Sequence, residues 1–102
     1  MIRKIARYKV NESALPAVEQ AIRDFIYAIA SAEPDTVYVA YRAGDPTSFI
    51  HFMAFLDKAA EAYHHSAPHT LDFVEKLYPN CEIQPQFDDL EIIQSSRPFE
   101  FT

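Results

Sequence analysis

Ser48-Phe49-Ile50-His51-Phe52-Met53-Ala54-Phe55-Leu56 decides the fold. Read with the two-residue period of a β-strand, it sets Phe49, His51, Met53 and Phe55 on one face, and Ile50, Phe52, Ala54 and Leu56 on the other. Val37-Tyr38-Val39-Ala40-Tyr41 has the same two-sided apolar character. A strand that is apolar on both faces is covered on both faces. One small domain has helix enough for only one of them, so the second face is expected to be buried by another copy of the chain, and Phe52 is expected to be buried. A histidine within such a strand points to an enclosed pocket.

Working outward, residues 36–43 and 48–56 form a hairpin closed by the breakers Gly44-Asp45-Pro46-Thr47. Upstream, residues 2–10 read as a strand, with Lys4, Ala6, Tyr8 and Val10 sharing a face. Ser13 is the expected N-cap of a helix, and Pro16 fits its first turn. Ala14, Val18, Ile22, Phe25 and Ile29 recur at spacings of three and four along it, and Glu33-Pro34-Asp35 ends it. Downstream, Asp57 caps a short helix over 58–65, and Pro68 opens another whose apolar side is Leu71, Val74, Leu77 and Tyr78. A last strand falls within 82–94, with Pro85 confining it to an edge or a bulge. The order βαββαβ is the ferredoxin-like, split-βαβ arrangement of the α+β class, with a four-stranded antiparallel sheet. Right-handed crossovers put the helices on one face and leave the other bare. The domain occupies residues 1–95. Residues 96–102 form a tail whose Phe99 and Phe101 are expected to pack on a partner subunit.

The bulk properties narrow the function. A chain of 102 residues with 49% apolar content has one core. A net charge of −6, with Arg3, Lys4, Arg7 and Lys9 as its basic cluster, argues against nucleic acid. The single cysteine, Cys81, suits a reducing compartment. No apolar run approaches membrane-spanning length, and Met1-Ile2-Arg3-Lys4 leads into a strand rather than a signal peptide, so the cytoplasm is the expected location.

Chemistry rests on the histidines. On one continuous helix, His64 and His69 would lie about 140° apart, with Pro68 between them, and no carboxylate or cysteine completes a ligand spacing. A metal site is therefore not expected. Cys81 has no neighbouring base, no serine sits in an elbow, and Gly44 is the single glycine, which removes nucleophilic and phosphate-loop chemistry. General acid–base work by histidine in a dry pocket is what is left. Each histidine also has a plainer reading: His51 as a hydrogen-bonded core residue, His64 as a partner of its helix dipole, and His69 as an exposed first-turn residue.

The joint pattern carries more than any single residue. Glu33-Pro34, the strand, Gly44-Asp45-Pro46, Phe49 to Phe55, Ala62-Tyr63-His64 and Ser66-Ala67-Pro68-His69 follow in order over nearly the whole chain. This resembles the antibiotic biosynthesis monooxygenase family of the dimeric α+β barrel superfamily. The resemblance implies a homodimer of ferredoxin-like subunits whose sheets face each other. It also implies oxygenation of quinols or polycyclic phenolic compounds by dioxygen, without metal, flavin or other cofactor. On this resemblance the catalytic base is His64, with His51 second. Tyr8, Tyr41, Met53, Phe55, His69 and Phe73 then contribute to binding a small aromatic substrate. Members often carry a glutamate and a tryptophan where this chain has Met53 and Phe55. Of the three residues used by haem-degrading relatives, Ala6, Phe55 and His64 preserve only the histidine, which argues against haem degradation. The rival reading is a non-catalytic small-molecule-binding or interaction domain on the same scaffold. A third is a lyase or isomerase. An open pocket with a histidine and polar partners favours an enzyme, whereas one filled by Phe52, Met53 and Phe55 favours the binding reading.

Overall fold

The computed structural model describes residues 1–97. Its strands are β1 (Ile2–Val10), β2 (Val37–Arg42), β3 (Ser48–Phe55) and β4 (Cys81–Leu90), and its helices are α1 (Leu15–Ala32), α2 (Lys58–Ser66) and α3 (Pro68–Leu77). The sheet is antiparallel in the order β2-β3-β1-β4, the ferredoxin-like topology read from the element order. Phe99 and Phe101 of the tail lie outside the described residues.

The hairpin turn is built as its residues suggest. Gly44 adopts φ +85°, which side-chain-bearing residues rarely take. Asp45 accepts the Thr47 backbone N–H at 3.0 Å. Asp57 caps α2 by accepting the Ala60 N–H at 2.9 Å, and Pro68 occupies the first turn of α3. Pro85 sits in the edge strand β4, where pairing with β1 slips between Arg7–Gln86 and Lys9–Ile83. A residue without an N–H is tolerated at such a bulge.

Four expectations need correction. Ser13 is not a cap: a 3-10 turn over Glu12–Ala14 precedes α1, and Ala14 takes the cap position with no side-chain hydrogen bond. Leu71 is 57% exposed, because the buried stripe of α3 runs through Thr70, Phe73 and Leu77 instead. Strand β4 begins at Cys81, one residue before the expected range of 82–94, and ends within that range at Leu90. Phe52 is only half-buried within the subunit, since it lies on the sheet face opposite the helices.

The helix-side face holds the core. Ala6, Tyr8 and Val10 of β1 and Phe49, His51, Met53 and Phe55 of β3 are all buried. Tyr8, Val10 and Phe49 pack against Val18, Ala21, Ile22, Phe25 and Ile29 of α1 and Phe73 and Leu77 of α3, while Ala6, Met53 and Phe55 form a second cluster with Ile2, Tyr38 and Ala60. Phe25 and Phe73 stack at 4.4 Å between ring centroids, joining α1 to α3 above the sheet. Phe55 is 0% exposed and meets the His64 ring at 5.0 Å, which tethers α2 to β3. Replacing Phe55 by Ala is expected to lower the unfolding free energy by about 3–5 kcal/mol in denaturant titration. A loss below about 1 kcal/mol would contradict this packing.

Candidate functional site

Two polar groups lie within this apolar layer. The first is built on the sheet. His51 is opposite Ala6 of β1 on one side and Ala40 of β2 on the other. These small neighbours leave space around the imidazole. The diagonal neighbours fill part of it: Tyr8 pairs with Phe49, two residues before His51, and Tyr38 pairs with Met53, two residues after. Their hydroxyls reach the two ring nitrogens, Tyr8 Oη to Nε2 at 2.7 Å and Tyr38 Oη to Nδ1 at 2.7 Å. His51 is 1% exposed, and burial takes its pKa from 6.5 down to about 4. Burial pushes both tyrosine hydroxyls well above their usual range. At neutral pH the trio is therefore an uncharged imidazole between two phenols.

The second group gathers three elements around one carboxylate. Glu33 caps the C-terminus of α1, where the helix dipole disfavours a negative charge, and it is 5% exposed. Its oxygens lie 3.0 and 3.1 Å from His64 Nδ1 at the end of α2, and Oε2 lies 2.5 Å from His69 Nε2 in the first turn of α3. An ionised carboxylate only accepts, so both rings donate: His64 through Nδ1–H and His69 through Nε2–H. Burial raises the Glu33 pKa, but the hydrogen bonds from His69 and His64 outweigh it and the net shift is downward. Burial lowers the His64 pKa despite the carboxylate. The state at neutral pH is an ionised Glu33 and a neutral His64. Among the described residues, His64 Nε2 meets no hydrogen-bond partner, so its lone pair is free.

His64 and His69 come together although the helical spacing separates them, because the break between α2 and α3 redirects the second ring. The donor atoms of Glu33, His64 and His69 all lie within 4.8 Å of one another, a set of residues able to hold a transition metal. Bonds of 2.0–2.1 Å to a tetrahedral ion would space such donors about 3.3 Å apart. The Glu33–His69 contact at 2.5 Å is tighter than that, and it is a direct ring-to-carboxylate hydrogen bond.

A cavity of about 130 Å³ lies between the sheet and the helices, and the two groups meet there. Tyr8, Tyr38, His51 and Met53 form its floor, and His64, Thr70 and Phe73 its roof. Thr70 Oγ1 is buried with no hydrogen-bond partner. Of the residues expected from the sequence, His64, His51, Tyr8, Met53 and Phe73 line this space. Phe55 and His69 support it from behind, through the His64 ring and Glu33 respectively. Tyr41 is elsewhere. It pairs with Ile50 on the opposite sheet face and is 54% exposed, because strand parity puts Tyr38 and Ala40 on the cavity side. Sequence reading also missed Glu33, Tyr38 and Thr70 as site residues. The available signals were an acid at a helix C-terminus and a hydroxyl in register with Phe73 and Leu77 on α3.

A crystal structure described as an antibiotic biosynthesis monooxygenase superposes with a TM-score of 0.82 at 19% identity, covering 92% of this chain and 100% of that one. The chain has the antibiotic biosynthesis monooxygenase fold. A candidate antibiotic biosynthesis monooxygenase from Nitrosomonas europaea gives 0.80 at 20% identity, covering 92% of this chain and 100% of its own. Another candidate member, from Bacteroides thetaiotaomicron, gives 0.85 at 16% identity, covering 97% of this chain and 95% of its own. A further neighbour from that organism, at 0.74 and 15% identity, is described as a protein of unknown function. No family model matches the chain, and no curated protein matches it. At these identities the likeness establishes the fold. Among the described residues no helix is long and apolar enough to cross a membrane.

The histidine between the two tyrosines makes stability depend on pH. The unfolded chain takes a proton on His51 near pH 6.5, whereas the folded chain resists until about 4. Its contribution is therefore complete above pH 6.5 and is lost as pH falls toward 4, a change of about 3 kcal/mol. Denaturant titrations should show that decline in the wild type and a shallower one in His51→Gln. Parallel curves for the two proteins would contradict the burial of a neutral imidazole.

Proposed function

We propose that the chain is a monooxygenase that oxidises a small phenol or quinol with dioxygen, using acid–base groups of the protein and no resident cofactor. The observation that carries this reading is the ionised Glu33 holding His64 by Nδ1, in a ring that lines a cavity and has no hydrogen-bond partner at Nε2 among the described residues. A carboxylate that fixes one imidazole nitrogen as a donor leaves the other as a base, the arrangement used to orient histidine bases elsewhere. The open cavity favours an enzyme over the non-catalytic binding reading, since Phe52 and Phe55 do not fill it and only Met53 lines it. The descriptions of the structural neighbours as monooxygenases support the same class.

In the proposed reaction His64 Nε2 takes the phenolic proton. The electron-rich phenolate passes one electron to dioxygen, and the resulting superoxide and phenoxyl radical join at a ring carbon. Protonated His64 returns its proton to the peroxide. Loss of the ring C–H proton then breaks the O–O bond and releases hydroxide, which becomes water with the proton carried by the base. For phenol itself the sum is phenol plus dioxygen to benzoquinone plus water, so the substrate supplies all the electrons. Tyr8, Tyr38 and Thr70 stabilise the oxyanion, and the apolar walls exclude bulk water.

The sheet face bearing Ile50 and Phe52 is the surface on which a second copy is proposed to pack, making a homodimer that sediments as such at micromolar concentration. Oxygen uptake with single-ring phenols and quinols tests the catalytic reading. His64→Ala should lose about 100-fold or more in kcat. Glu33→Gln should retain the fold but give a smaller loss and an altered pH–rate profile. Equal rates for wild type and His64→Ala would remove His64 from the mechanism.

A further inference from the structure

Proton counting around His51 shows what kind of atom the cavity is made to receive. A neutral imidazole has one N–H and one lone pair. Both nitrogens face a tyrosine oxygen at 2.7 Å. If Nε2 carries the proton, it donates to Tyr8 and Tyr38 donates to Nδ1; in the other tautomer the roles exchange. In either case one phenolic proton is spent on His51 and the other is not. Among the described residues neither hydroxyl has another partner, and Thr70 Oγ1, opposite them in the roof, has none at all. The cavity therefore holds two uncommitted O–H donors. Buried donors without acceptors are unfavourable by about 1–3 kcal/mol each, so this site is completed by an incoming acceptor.

The volume adds a limit on size. A protein cavity of about 150 Å³ accommodates benzene. The space here, about 130 Å³, is of the same order and is bounded by the Phe25–Phe73 stack and the sheet. The enclosed part matches one six-membered ring and is too small for the three fused rings of a polycyclic phenol, while toward the exposed Phe87 and His65 the cavity opens to solvent and leaves room for a short ring substituent. Resting on the oxygenase reading of the same site, we propose that its substrate is a single-ring compound whose carbonyl or phenolate oxygen is received by Thr70 and by the spare proton of the Tyr8–His51–Tyr38 trio. The wider substrate range implied by the resemblance thus narrows to its smallest members. The spare proton moves between the tyrosines with the His51 tautomer, so the trio can meet an oxygen presented from either side.

Acetophenone and α-methylstyrene separate the two parts of this proposal, because they match in shape and differ in an oxygen exchanged for a methylene. Binding to the full chain, followed by amide NMR titration, should favour acetophenone by about tenfold, the value of one to two neutral hydrogen bonds. Thr70→Val, which keeps the volume, should reduce that preference by about fivefold, while Tyr8→Phe tests the second donor. Anthrone should show no saturable binding at the cavity residues. Equal affinity for the two isosteres would overturn the acceptor argument, and tight anthrone binding at His51 and Thr70 would overturn the size limit. These readouts do not depend on turnover. The expected preferences without oxygen consumption would support the pocket chemistry and defeat the oxygenase reading alone.

Discussion

The structure depends on a buried carboxylate placed where its own helix disfavours it. Glu33 ends α1 at the negative pole of the dipole, nearly out of contact with water. A charge there is sustained only by donors that offset several kcal/mol of lost hydration. His64 and His69 supply them from α2 and α3, so the two short helices that roof the cavity are tied to the long one through a single side chain. Electrostatic need and site geometry therefore have a common cause. The bonds that keep Glu33 ionised also fix the His64 tautomer.

The sheet meets the opposite requirement. His51 carries no charge at neutral pH and sits where Ala6 and Ala40 leave room for it, so its polar atoms are satisfied by two tyrosines rather than by a counter-ion. A neutral network of this kind is stable only when its members are paired. The unpaired hydroxyl of Thr70 and the surplus tyrosine proton are the departures from that rule, and both lie at the cavity. Such departures are expected at binding sites rather than in the supporting core. The rest of the core, the cluster around the Phe25–Phe73 stack and the smaller one around Phe55, is apolar and holds the walls in place.

The fold was legible in the sequence because it rests on local periodicity. The two-residue alternation of β3, the stripe of α1, the breakers around Gly44 and the break at Pro68 each act within a few residues. Pro85 was readable as an edge or bulge signal because proline cannot donate to the ladder. The missed details were also local: a 3-10 turn displaced the expected cap at Ser13, and the stripe of α3 was rotated by one residue from Leu71 to Thr70. The site was only half legible. His51, His64 and Tyr8 announced themselves by residue type and position. Glu33 did not, because its partners lie 31 and 36 residues away, and helical spacing within one helix argued against joining His64 to His69. Tyr38 in place of Tyr41 required the parity of β2 against β3, which only cross-strand register supplies.

Base catalysis by His64 depends on which of its nitrogens carries the proton. Long-range proton–nitrogen correlation on histidine-labelled protein at neutral pH reads this directly, with His64→Gln assigning the resonance. A neutral ring protonated at Nδ1, with an unprotonated Nε2 and a shift of the Nδ1 signal in Glu33→Gln, is the result predicted by the carboxylate-held base. A ring protonated at Nε2, or one charged at neutral pH, would contradict it.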